Sequence, residues 1–150
     1  CRPWQWFRQD PAFDRLISER FGQLAQAAQE QQLSDWEIRQ DSALALVLLL
    51  DQFSRQIWRY KARAYAGDQI AQRLSRLALD QRWLEREPQR ARRQFWLMPL
   101  LHAECLETVT MAIPLLEHWV DAATAGVARR NRSMLLEHGR YPWRDGALGR

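Results

Sequence analysis

Three groups of polar side chains in this 150-residue chain could do chemistry. The first is Asp51, Gln52, Arg55 and Arg59. Asp51 directly follows the apolar run Ala43–Leu50, and Arg55 stands one helical turn later. A carboxylate entering a core needs a partner, because an unpaired buried charge is strongly destabilising. One reading makes Asp51–Arg55 a partly buried ion pair that ties its helix to a neighbour, with Gln52 bonded to loop backbone. The other makes these residues a binding floor, in which Arg55 and Arg59, on successive turns, face an anionic ligand.

The second group is His102 and Glu104, close behind Pro99, where a helix is expected to restart. Unsatisfied N–H groups at such a start can hold an anion. If the protein is an enzyme, His102 is its general base, oriented by Glu104 or Asp51, and arginines stabilise developing negative charge. The plainer reading makes His102 a capping or buried hydrogen-bonding histidine. His102 and Cys105 have possible metal-ligand spacing, but zinc sites need three or four ligands, so no metal and no cofactor are expected. With no nucleophile motif and no Gly-rich phosphate loop, no catalytic residue is assigned from sequence alone.

The third group is the tail, where Arg140, Arg144 and Arg150 are interspersed with Gly139, Gly146 and Gly149. Such a loop can bring guanidinium groups together to grip phosphate or carboxylate. It can equally be a strap whose arginines cap helix ends and whose Tyr141 and Trp143 plug the core. The candidate ligand-binding set is therefore Asp51, Gln52, Arg55, Arg59, His102, Glu104, Arg140 and Arg144. Its expected partner is an acidic peptide or a small anionic metabolite in a polar groove. The alternative is a metal-independent hydrolase or transferase using His102.

The elements that must position these residues are helices. Asp10-Pro11 supplies an N-cap and a proline at the first helical position, and Phe13, Leu16, Ile17, Phe21 and Leu24 recur at three- and four-residue steps to about residue 31. A second helix runs from near Asp41 to about Arg59, central in its first half because it is apolar all round. A third is expected from about Ala62 to Gln81, with Gly67 a tolerated weak point. Another starts at Pro88 and is interrupted at Pro99. A helix over Pro99–Ala123 with a kink at Pro114, then Val127–His138 and an irregular tail, complete the reading. No run alternates with period two. Short links favour antiparallel neighbours, so the predicted fold is all-α, a single domain of stacked helical hairpins.

Composition bounds the function. Hydrophobic residues make up 47% of the chain with only six Gly and six Pro, which predicts a real core rather than disorder. The apolar run Ala43–Leu50 is far short of the roughly 20 residues that span a bilayer, so no membrane segment is expected. Two cysteines, Cys1 and Cys105, make no disulfide framework and suit a reducing cytoplasm. The net charge of +4 is carried almost wholly by arginine, Lys61 being the only lysine. The basic residues form no long stripe, and Trp36, Trp58, Trp96 and Trp119 fall in helical segments where core packing explains them, so nucleic acid is disfavoured. The chain opens with Cys1 rather than Met and stops at Arg150 after a Gly-rich turn, as expected when the natural ends lie further out.

The stretches FRQDPAFDRLISERFG (Phe7–Gly22), LLDQFSRQIWR (Leu49–Arg59), ARAYAGDQIA (Ala62–Ala71), MPLLHAECLE (Met98–Glu107) and GRYPWRDGALGR (Gly139–Arg150) resemble the bacterial family called domain of unknown function 924, in order and spacing, across nearly the whole chain. The resemblance implies a tetratricopeptide-like helical fold and no established activity. That family usually has His where this chain has Asn131 and Trp143, and Asn where it has Asp145, so two potential proton-transfer groups are absent here.

Overall fold

The computed structural model describes residues 9–150. Cys1 and the first residues of the Phe7–Gly22 stretch lie outside them. Within that range the chain is all-α, with helices and turns and no strand.

Helix α1 (Pro11–Gln29) starts as its sequence demands: the Asp10 carboxylate accepts from the N–H groups of Ala12 and Phe13, and Pro11 needs no donor at the first position. It buries Phe13, Ile17, Ala25 and Ala28. After a 3₁₀ turn at Ser34–Ile38 comes α2 (Gln40–Val47), which passes without a break into a wide π turn (Leu48–Phe53) and then α3 (Ser54–Ile57). The π turn has an identifiable cause. Both the N–H and the hydroxyl of Ser54 bond to the carbonyl of Leu49, five residues back, the hydroxyl at 2.8 Å. That spacing opens the α ladder by one residue.

The helix expected over residues 62–81 is two pieces, a 3₁₀ turn (Ala62–Tyr65) and α4 (Asp68–Asp80), and Gly67 stands between them. Gly67 is not a tolerated weak point. A Cβ there would lie 2.9 Å from both the Cδ2 and the carbonyl oxygen of Leu50, so only glycine lets α4 begin against the π turn.

Beyond the short α5 (Trp83–Arg86), helix α6 (Arg90–His102) runs straight through Pro99, contrary to the expected restart. A proline inside a helix costs about 3 kcal/mol. Trp96, Leu97, Met98, Leu100 and Leu101 of the same helix are all buried, each worth roughly 1.5–3 kcal/mol, and this packing outweighs the lost bond. The break comes instead at residues 103–105. Helix α7 (Leu106–Trp119) contains Pro114, and α8 (Ala122–His138) includes Gly126, begins on Asp121, which accepts from the Thr124 N–H at 2.7 Å, and ends at Gly139 with φ of 69°. Residues 139–150 carry a 3₁₀ turn (Pro142–Arg144) and the short α9 (Asp145–Leu148).

Helices α6 and α7, and α7 and α8, pack on each other across links of a few residues, which makes antiparallel hairpins; α1 packs on the π turn and α3, and α4 on α6. One apolar cluster joins them, from Phe13 through Leu50, Leu74, Trp96 and Leu116 to Tyr141. No helix among the described residues is long and apolar enough to cross a membrane.

Candidate functional site

The site is built on the π turn and the C-terminal end of α6. Asp51 lies in the π turn with only 1% of its surface exposed. It has three partners. His102 places Nδ1 2.9 and 3.0 Å from its two oxygens, Gln52 donates Nε2 at 2.7 Å, and the Arg55 guanidinium lies at 3.0 Å. Burial pushes the Asp51 carboxyl up, but Arg55, His102 and Gln52 together override it and hold the group well below the usual carboxylate range. Asp51 is therefore a fixed negative charge.

Arg55 also reaches Asp68 at 3.0 Å, and Asp68 in turn accepts from Arg144 at 3.1 Å. Arg144 closes the circuit by donating to the carbonyl of His102 at 2.6 Å. The ring of contacts His102, Asp51, Arg55, Asp68, Arg144 thus balances two carboxylates with two guanidiniums. Both arginines also lie over the Tyr65 ring, Arg55 at 5.4 Å and Arg144 at 4.4 Å.

Helix α6 ends where His102 stands, and the last carbonyls of a helix have no partners within it. Here three side chains supply them. Asn131 Nδ2 donates to Leu101 at 2.9 Å, Arg144 to His102, and the Tyr141 hydroxyl to Ala103 at 2.8 Å. Burial pushes the Tyr141 phenol up to about 12, so it remains a donor at neutral pH. His102 is therefore held at a helix C-terminus, not at the helix start that Pro99 suggested.

Because Nδ1 faces a carboxylate, it carries a proton, and in the neutral ring the lone pair lies on Nε2. Among the described residues Nε2 has no hydrogen-bond partner, and His102 lines a cavity of about 1070 Å³. Among the described residues four arginines, Arg55, Arg59, Arg130 and Arg144, share that lining, and no carboxylate does. Arg59 is bidentate to Asp14 of α1 at 2.6 and 2.8 Å. Arg130, on α8, is exposed and has no carboxylate partner among the described residues. The rest of the wall is largely aromatic and apolar, including Tyr60, Met98, Leu101, Val127 and Trp143. Tyr60 is held at φ of 66°, a left-handed backbone that bulky residues adopt at a cost.

Of the residues singled out by sequence, Asp51, Gln52, Arg55, His102 and Arg144 meet, Gln52 buried behind Asp51, and Arg59 lies on the same cavity. Glu104 and Arg140 do not line it. Glu104 accepts from the Tyr141 N–H at 2.6 Å and pairs with Arg150, while Arg140 and Arg150 both bond Asp145. Glu104 stands within the break and faces the tail, so it anchors that strap, and Asp51, not Glu104, orients His102. Asp68 and Arg130 escaped sequence reasoning. The one signal for Asp68 was its place in the stretch Ala62–Ala71 that carries the family resemblance, directly after Gly67. No group of three or more His, Cys, Asp or Glu among the described residues is placed to hold a metal ion.

No functionally curated protein matches the chain. A solved structure titled as a protein of unknown function from Agrobacterium tumefaciens is 32% identical, superposes with a TM-score of 0.90, and matches over 99% of this chain and 83% of that one. The family model described as "Bacterial protein of unknown function (DUF924)" matches residues 1–150. On these grounds the chain that builds an aspartate-backed histidine into an arginine-rich cavity belongs to the DUF924 family.

Proposed function

We propose that this protein is a binding module that holds a small anionic molecule in the cavity beside His102. The observation that carries the reading is the charge of the wall: four guanidiniums and no carboxylate, with Arg130 unmatched by any acidic partner among the described residues. A concave, mostly apolar pocket with a few convergent polar groups is the ordinary form of a small-molecule site. An acidic peptide is the less favoured occupant, because the polar groups converge on one cavity rather than running along a groove. The proposal includes a tetratricopeptide-like stacking of the hairpins and a cytoplasmic setting in which Cys105 stays reduced. Titration calorimetry with inorganic phosphate, citrate and hexaglutamate tests it. Saturable 1:1 binding of a small anion, abolished by Arg130→Glu, is expected. No saturable anion, or an Arg130→Glu protein that behaves as wild type, overturns the reading.

The Asp51–His102 contact supports a second reading, a metal-independent hydrolase or transferase. A histidine that lines a cavity, with Nδ1–H fixed by a buried carboxylate and no partner on Nε2 among the described residues, has the arrangement of a general base, and the neighbouring arginines would stabilise negative charge that develops on a bound substrate. A panel of p-nitrophenyl phosphate and p-nitrophenyl acetate tests this: turnover lost in His102→Ala supports it, and turnover undiminished in that variant sinks it.

A further inference from the structure

We infer that the anion is a nucleoside monophosphate or a molecule of that chemistry, a planar heteroaromatic ring carrying one phosphate. The inference rests on the anion-binding reading above and adds the ring.

Trp143 carries it. Its indole stacks on Tyr141 with ring centres 4.6 Å apart and planes only 12° off parallel. Tyr141 is completely buried, whereas Trp143 is 56% exposed and lines the cavity. One face of the indole is thus occupied by Tyr141, and the exposed surface is the remainder of the ring system. A large aromatic whose position is fixed by a buried partner, left open at a cavity wall, is a ready stacking platform. A plain apolar ligand would not need the flat geometry, and a plain inorganic anion would not use the indole at all.

The polar groups fit the remainder of such a molecule. Asn131 has its Nδ2 committed to Leu101, which directs the amide so that its oxygen is the free acceptor, and the same residue lines the cavity. That oxygen suits an exocyclic amine on the ring edge. For the phosphate, the wall's charge sets the number. Arg55 and Arg144 are matched by Asp51 and Asp68, and Arg59 by Asp14. Of the arginines on that wall, Arg130 is then the one without a carboxylate partner among the described residues. One uncompensated guanidinium fits a monophosphate better than a di- or triphosphate. The cavity volume of about 1070 Å³ has room for a whole nucleotide.

Calorimetric titration of the full chain with AMP, adenosine, inorganic phosphate and a deoxythymidine oligonucleotide is the test. AMP is expected to bind 1:1 and at least tenfold tighter than either phosphate or adenosine. Trp143→Ala should weaken AMP about tenfold and leave phosphate unchanged, while Trp143→Phe, which keeps a ring, should retain most of the affinity. Both variants change an exposed side chain, and circular dichroism before titration confirms that each is folded. If phosphate binds in an Arg130-dependent way but AMP binds no tighter, or if Trp143→Ala does not weaken AMP, the nucleotide inference falls and the anion site stands. If neither phosphate nor AMP binds, both fall. An oligonucleotide that binds tighter than AMP also overturns the inference, in favour of a polynucleotide.

Discussion

The Nδ1 atom of His102 sits 2.9 Å from one carboxylate oxygen of Asp51 and 3.0 Å from the other, although the two residues are 51 positions apart in the chain. Asp51 rises from the π turn and His102 ends α6, so the contact exists only when these two elements are docked. The pair therefore belongs to stability and to the candidate site at once.

Replacing Asp51 with Asn keeps the shape of the side chain and removes its charge. Arg55 would keep Asp68 but lose the other of its two counter-charges, in a setting where breaking a buried pair costs about 3–5 kcal/mol. Because Arg55 is partly exposed and Asp68 remains, a loss below that range, about 2–3 kcal/mol, is expected from urea unfolding at neutral pH. A change below about 0.5 kcal/mol would contradict the account of Asp51 as a buried, paired charge.

Acid should erase that difference. The folded-state carboxyl of Asp51 is held below its ordinary value of 3.8, so its contribution to stability is complete above that pH and is lost as the pH falls below it towards the folded value. Urea midpoints of wild type and Asp51→Asn, measured at intervals from neutrality down into strong acid, should stay separated to about pH 4 and converge below it. Curves that remain parallel throughout would show that the stabilisation does not depend on the charge.

Gly67→Ala tests the close approach of α4 to the π turn. The added methyl meets the Leu50 carbonyl, which cannot swing away as a side chain would, and overpacking of this kind costs about 1–3 kcal/mol. An ordinary glycine-to-alanine change at a compatible site would instead stabilise by about 0.4–1 kcal/mol. The sign of the change in unfolding free energy therefore decides between the two.

Tyr141→Phe removes the hydroxyl that satisfies the carbonyl of Ala103 at the end of α6. A buried acceptor left without its donor costs about 1–3 kcal/mol. The same variant should speed hydrogen exchange in the last turn of α6 while leaving α1 unchanged, and uniform acceleration across the chain would argue against a local role.

What could be read from the sequence was local. Asp10-Pro11 marked the start of α1, and the spacing of Asp51 and Arg55 marked an ion pair, because caps and one-turn contacts are written in neighbouring positions. Asp68 could not be found that way: its partners Arg55 and Arg144 come from 13 and 76 residues away, and only the docking of α4 and the tail brings them together. Pro99 misled for a related reason. The rule that proline ends a helix is local, whereas the packing that carries α6 past it is not. The same displacement of the break to residues 103–105 turned Glu104 towards the strap and left His102 to Asp51.

The π turn at Leu48–Phe53 acts as a register lock. Each residue of a regular helix turns the chain by about 100°, so deleting one residue here would restore the α ladder and rotate α2 by that amount relative to Arg55. Leu44 and Val47 could then face the core, or Asp51 and Arg55 could face His102 and Asp68, but not both. Length changes in the links between hairpins leave such phase relations intact. In this one segment the number of residues, more than their identity, holds the apolar and the polar faces of the same rod in step.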